Sequence, residues 1–125
     1  MSAKNKSPKP GIFIWNELAT TNEAAAKKFY TRLLGWKTKP FGKGMDYTLL
    51  MRGKENIGGL MKAPKGLSPQ WFSYVLVDDV DATVKKAAKL GGKIMKPGFD
   101  VPNVGRLAFL RDPQGAAFAI IKPVM

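Results

Sequence analysis

The sequence predicts an α+β fold made of two βαβββ modules in tandem, and three observations carry that prediction. The stretch Leu18-Ala19-Thr20-Thr21-Asn22-Glu23-Ala24-Ala25-Ala26-Lys27-Lys28-Phe29-Tyr30, closing at Leu34-Gly35-Trp36, lays out a strand end, a polar cap, an alanine-rich helix and a glycine stop. The same order returns from Val75-Leu76-Val77-Asp78-Asp79-Val80 to Leu90-Gly91-Gly92. Each helix is then followed by a basic extended segment, Lys37-Thr38-Lys39-Pro40-Phe41 in one half and Lys93-Ile94-Met95-Lys96-Pro97-Gly98-Phe99 in the other. Repetition over roughly 55 to 60 residues is that of a duplicated module, not of a solenoid. With 125 residues in all, neither half can bury its sheet alone, so the two are expected to share a core with each other or with a second chain, with a cavity at the seam.

Residues 1–10 read as a flexible basic tail, and residues 11–125 as one domain: module 11–62, linker 63–69 and module 70–124. Residues 11–18 form a first strand, rich in β-branched and aromatic side chains and closed by Thr20-Thr21. Asn22 or Thr21 can cap the helix that follows, and Gly35 supplies its left-handed exit. On that helix Ala25, Phe29, Leu33 and Ala26 are expected to form the buried stripe, with Lys27, Lys28 and Arg32 elsewhere. Strands over residues 36–41, 47–52 and 57–62 follow, separated by turns at Gly42-Lys43-Gly44 and Gly53-Lys54-Glu55-Asn56. After the proline- and glycine-punctuated linker, the second module repeats the order: strand 71–77, helix 80–90, and strands 93–96, 105–111 and 116–123. Asp112-Pro113-Gln114-Gly115 between the last two has proline and glycine where type I and II turns want them.

Composition narrows the chemistry. With neither cysteine nor histidine, the chain has no disulfide framework, no thiolate and no imidazole, so any catalysis falls to carboxylates, lysines, tyrosines or backbone groups. The net charge of +12 invites a nucleic-acid reading. The lysines are scattered, however, and no helix-turn-helix, RNP or zinc-finger pattern is present. A solvated cationic surface that attracts anionic ligands generally is the favoured reading, and Lys27-Lys28 and Lys85-Lys86 are read as solvated helix faces. The first residues lack the apolar run of a secretory signal, and no stretch has the length of a membrane span, so a cytoplasmic location without membrane association is expected.

At Phe29-Tyr30-Thr31-Arg32-Leu33-Leu34-Gly35-Trp36, at Val77-Asp78-Asp79-Val80-Asp81-Ala82 and at Asp112-Pro113-Gln114-Gly115, the chain resembles the vicinal oxygen chelate superfamily. That superfamily includes glyoxalase I, extradiol dioxygenases, and fosfomycin and bleomycin resistance proteins. Trp15-Asn16-Glu17-Leu18 and Ile57-Gly58-Gly59-Leu60-Met61 are most similar to its glyoxalase-like bacterial branch. The resemblance runs from about Ile12 to Ile121 and implies the paired βαβββ fold. It also implies metal ligands on the first and last strand of each module. Those positions fall here on Trp15 and Phe72, on Gly58 or Gly59, and on Ala119, none of which can bind a metal. No metal and no other cofactor is therefore expected, and the metal-dependent isomerase and dioxygenase activities of the superfamily are disfavoured.

Strand alternation places Phe13, Trp15 and Glu17 on one face of the first strand, and Phe72, Tyr74 and Leu76 together in the second module. Trp15, Phe72 and Tyr74 are candidate walls of an aromatic pocket, or simply core that fills the space of the metal. Glu17, a carboxylate in an apolar strand, needs a partner or a raised pKa. It is a candidate base or ligand anchor, with pairing to a lysine, arginine or backbone donor as the structural alternative. Tyr47 and Arg106 are candidate partners for an anionic ligand, each also an ordinary strand-surface residue. Gly58-Gly59 marks a close backbone approach or a bulge.

Three functions follow. The leading one is a metal-free, glyoxalase-like protein that binds a small planar molecule, neutral or anionic, in an aromatic cavity. The second is a metal-independent isomerase, epimerase or lyase with Glu17 as base and Tyr47 or Arg106 as electrophilic partner. The third is a structural or interaction protein with a filled cavity. Bleomycin-type resistance is disfavoured, because a cationic drug would be repelled by a cationic host. Open sheet edges and apolar faces further suggest a homodimer.

Overall fold

Ten elements follow in the order β1 (Phe13–Thr20), α1 (Glu23–Leu34), β2 (Lys37–Pro40), β3 (Thr48–Arg52), β4 (Glu55–Lys62), β5 (Gln70–Leu76), α2 (Val80–Lys89), β6 (Lys93–Val101), β7 (Gly105–Arg111) and β8 (Ala117–Pro123). This is βαβββ twice over. In the computed structural model the described residues are 9–42 and 47–124; most of the expected basic tail, and Lys43 and Gly44 of the expected Gly42-Lys43-Gly44 turn, lie outside them. Contacts divide the chain into a first unit, Trp15–Phe72, and a second made of the residues up to Ile14 together with those from Ser73 onward.

In the first unit the strand order is β2-β3-β4-β1. β1 and β4 run parallel, with Glu17 opposite Gly59 and Leu18 opposite Leu60, and the other neighbours are antiparallel. Asn22 caps α1 by accepting from the Ala25 N–H at 3.0 Å, and Gly35 ends it in the left-handed conformation at φ 72°. The helix covers a core of Leu18, Leu50 and Leu60 with Ala26 and Tyr30, assisted by Trp36 and Ile57. Each of those buried leucines contributes about 1.5–3 kcal/mol.

This corrects the expected helix stripe. Phe29 and Leu33 are 57% and 61% exposed, and no residue of α1 is buried. Ala26 and Tyr30, four residues apart on the helix, both pack against those leucines. Tyr30 also stacks on Trp36 (5.7 Å between centroids) and accepts from the Trp71 indole N–H at 3.3 Å. Phe29, Leu33, Leu34 and Trp71 remain as exposed apolar side chains. The edge strand β2 has all four residues exposed, among them Lys37, Lys39 and Pro40.

The second unit repeats the order as β5-β8-β7-β6, with β5 and β8 parallel. Gly11 and Ile12 pair with Leu76, through Gly11 N–H to Leu76 O at 2.7 Å and Leu76 N–H to Ile12 O at 2.9 Å. Asp79 caps α2 by accepting from the Ala82 N–H at 3.0 Å. Here the amphipathic pattern holds, with Val80, Val84 and Ala87 over Ala108, Leu110 and Ile120. Strand β6 runs on through Pro97 to Val101, beyond the expected stop at Lys96, with irregular register between Ile94 and Phe99. An edge strand with bulges tolerates a proline that a central strand would not. The Asp112 turn closes by Gly115 N–H to Asp112 O at 2.9 Å, while the Asp112 carboxylate accepts from Gln114 and Ala116.

Candidate functional site

Of the candidate residues, Trp15, Glu17 and Tyr47 come together in the first unit. Trp15 and Glu17 are two apart on β1 and share a face, and Glu17 is in register with Gly59 on the adjoining β4. Tyr47 stands just before β3. Its carbonyl accepts from the Phe41 N–H at 2.9 Å, and its ring meets that of Phe41 edge-on. The phenol reaches across to Gly59, where a Cβ would overlap its hydroxyl and ring. Glycine at position 59 is thus what makes room for Tyr47. Gly58 shows the same intolerance toward backbone, since a Cβ there would lie 2.8 Å from the Asn16 carbonyl oxygen.

The hydrogen bonds around Tyr47 have a defined direction. The Trp15 indole N–H donates to the Tyr47 hydroxyl oxygen at 3.0 Å. The phenol in turn hydrogen-bonds Glu17, and since its single proton is the one available, Tyr47 donates to the carboxylate. A chain from indole to phenol to carboxylate results. Glu17, 4% exposed, therefore has a tyrosine as a partner.

Burial is the main reason the Tyr47 phenol is pushed far above its usual range. The Glu17 charge and the bond donated to Glu17 add to the shift, and the bond from Trp15 opposes it. Tyr47 is consequently a neutral donor at every physiological pH. Because the folded-state value is raised, its contribution to stability is complete below the unfolded value of 10.0 and is lost as pH rises beyond it. Urea unfolding on either side of that pH checks the point: stability should fall more steeply in the parent than in Tyr47→Phe.

The remaining candidates are placed elsewhere. Phe72 is fully buried. Phe13 is 72% exposed. In the second unit Tyr74 packs edge-on against Phe109 at 6.3 Å, and Phe109 in turn contacts Phe99 at 5.8 Å. Arg106 is occupied: its guanidinium donates to Asp81 at 2.9 Å and 3.3 Å, to Asp100 at 3.1 Å and to the Gly98 carbonyl at 3.3 Å. The two carboxylates hold it further above its already high pKa. An open groove of about 380 Å³ lies alongside, bordered by Asn103, Arg106 and Lys122 among others.

The donor set does not fit a resident transition metal. Gly59 offers no side chain, the space above it belongs to a phenol, and Trp15 presents an N–H that cannot ligate. Among the described residues no cluster of three or more acidic, histidine or cysteine side chains could hold an ion. No helix among them is long and apolar enough to cross a membrane.

The paired βαβββ topology and the strand positions of this site define a class of protein. The chain belongs to the glyoxalase/bleomycin resistance protein/dioxygenase superfamily, whose family model matches residues 13–120. It is 41% identical over 116 residues to the "Putative glyoxylase CFP32" of Mycobacterium tuberculosis, covering 90% of this chain and 44% of that one. It is 32% identical over 128 residues to the anthracycline biosynthesis protein DnrV of Streptomyces peucetius, covering 89% of this chain and 46% of that one. The chain thus spans about half the length of these relatives. Among solved structures, methylmalonyl-CoA epimerase from Mycobacterium tuberculosis shares the fold, with a TM-score of 0.57, 14% identity, and 99% of this chain and 97% of that one covered.

The sequence missed the contact between Tyr47 and Gly59. Its signal was a glycine on a central strand beside a carboxylate strand, which marks a place where something other than its own side chain must fill the face.

Proposed function

We propose that this chain is a metal-free, glyoxalase-like cytoplasmic protein that binds a small, at least partly planar molecule at the Trp15–Tyr47–Glu17 face of its first unit. The observation that carries the reading is the hydrogen-bonded chain itself. A tryptophan and a tyrosine supply flat apolar surface and a carboxylate beside them supplies polarity, with Trp15 standing at one position that the family resemblance gives to a metal ligand and Tyr47 lying over another, Gly59. The similarity to a protein named for anthracycline biosynthesis supports a flat ligand, since anthracyclines are fused-ring compounds. A screen of planar compounds by thermal shift, run on the parent and on Trp15→Ala with metal content measured on the same samples, tests it. Binding should weaken about tenfold or more in Trp15→Ala, without stoichiometric zinc, nickel or iron in the parent. Hits that bind Trp15→Ala unchanged would remove the site.

A second reading, a metal-independent isomerase, epimerase or lyase with Glu17 as base, is favoured by the burial of that carboxylate beside a neutral phenol. We further propose a homodimer formed through the α1 face, where Phe29, Leu33, Leu34 and Trp71 are exposed. Sedimentation at micromolar concentration should show the dimer, and Leu33→Lys should shift it to monomer.

A further inference from the structure

We infer that Phe41 is a positioning residue for the first-unit site: it fixes the tilt of the Tyr47 ring over Gly59, and through that ring the hydrogen bond from Trp15. That role rests on the proposed binding reading only in its effect on a ligand; the geometry itself stands apart from it.

Phe41 is marked out first by its place in the chain. All four residues of β2 are exposed, and Phe41, next after them, is half-buried. Its N–H donates to the Tyr47 carbonyl at 2.9 Å, which carries the antiparallel pairing of β2 with β3 one residue past Pro40 and Thr48. Phe41 and Tyr47 are thus cross-strand neighbours with side chains on one face, and their rings meet at 81° with 6.0 Å between centroids. Edge-to-face contact of that kind is attractive and directional, so it sets an angle as well as filling space.

The Tyr47 ring needs such a restraint, because it leans. Thr48 pairs with Leu60, so the backbone of Tyr47 stands level with Met61; the hydroxyl nevertheless lies over Gly59, two residues, or about 7 Å, along β4. Glycine there gives the phenol room and no side chain to brace against. The far end of the ring is met by the Trp15 indole N–H at 3.0 Å. A small pivot at the base carries the oxygen, at the end of the lever, out of that bond's range. Phe41, paired with the Tyr47 backbone, stands at that base. Removing its ring frees the pivot, and the indole loses the acceptor that orients it. The flat surface offered by Trp15 and Tyr47 would then have no fixed shape.

Trp15 reports on this directly. The chain has three tryptophans, and the indole N–H signal of Trp15 is assigned in a proton–nitrogen correlation spectrum by its loss in Trp15→Phe. We expect that signal in Phe41→Ala to move to the position it takes in Tyr47→Phe, and its exchange with solvent to quicken about tenfold or more, while Phe41→Tyr keeps the parent's position and rate. Affinity for coumarin, a neutral planar probe measured by calorimetry, should fall about tenfold in Phe41→Ala and be restored in Phe41→Tyr. Far-ultraviolet circular dichroism checks the fold, and Phe41→Leu, which keeps the bulk and loses the ring, takes the place of Phe41→Ala if the latter does not fold. A parent-like Trp15 signal in the folded variant would overturn the positioning role. So would weakened coumarin binding with that signal unchanged, which would make Phe41 a contact of the ligand instead. Absence of Trp15-dependent coumarin binding in the parent would count against the binding reading alone, with the indole signal still deciding the role of Phe41.

Discussion

Replacing Gly59 with alanine should expel Tyr47 from the sheet face and take ligand binding with it. The new Cβ would occupy the position of the Tyr47 hydroxyl and part of its ring, so the two side chains cannot coexist. Since the obstacle is the far end of a side chain, the protein can respond by swinging the ring away. The fold should therefore survive at a cost of about 1–3 kcal/mol, the usual range for overpacking. The hydrogen bonds to Trp15 and Glu17 would go, and affinity for a planar ligand should fall about tenfold or more. A double-mutant cycle isolates the cause. In a Tyr47→Ala background, Gly59→Ala should cost little further stability and little further affinity. Equal effects in both backgrounds would show that position 59 acts through something other than Tyr47.

Gly105→Ala should be worse for the fold, and no second substitution should relieve it. Gly105 sits at φ 149°, and a Cβ there would overlap the Lys122 carbonyl oxygen and come within 2.7 Å of the Pro123 Cα. Both belong to the backbone of β8, in register with the start of β7. Backbone cannot rotate aside, so either the end of the β7–β8 ladder opens or the residue adopts a conformation that alanine resists. A loss of about 2–4 kcal/mol, or a fall on the order of 10 °C in Tm, is expected from thermal unfolding. An unchanged Tm would mean that this end of the ladder is already loose.

The contrast between these glycines also shows what the sequence made legible. Element order and the caps at Asn22 and Asp79 were readable, because they depend on local chemistry: a short polar side chain before an alanine-rich run, or proline and glycine at fixed turn offsets. Trp15, Glu17 and Tyr47 were each readable as unusual strand residues. That Tyr47 would lie over Gly59 and bond Glu17 was not, since it depends on the pairing of β3 with β4 and of β4 with β1. The helix stripe failed for a related reason. Hydrophobicity alone ranked Phe29 and Leu33 above Ala26, whereas the geometry of the sheet beneath favoured a small residue and a long amphipathic ring. Strand β6 outruns its expected end at Lys96 because an isolated sequence does not reveal which strand lies at an edge, where a proline is tolerated.

The short strand β2 carries a consequence for how this protein behaves when concentrated. An unpaired strand edge is a template on which another chain can lay down backbone hydrogen bonds without limit. In the first unit that edge is four residues long, fully exposed, and made of two lysines, a threonine and a proline with no N–H to offer. Two like charges repel an incoming copy, and the proline leaves a gap in any ladder it tried to build. Fibrillar growth from this side is thus discouraged at the level of the backbone. Self-association through the first unit is left to side-chain surfaces such as the outward face of α1, which can be buried once, in a closed pair, and then offer nothing more to a third chain.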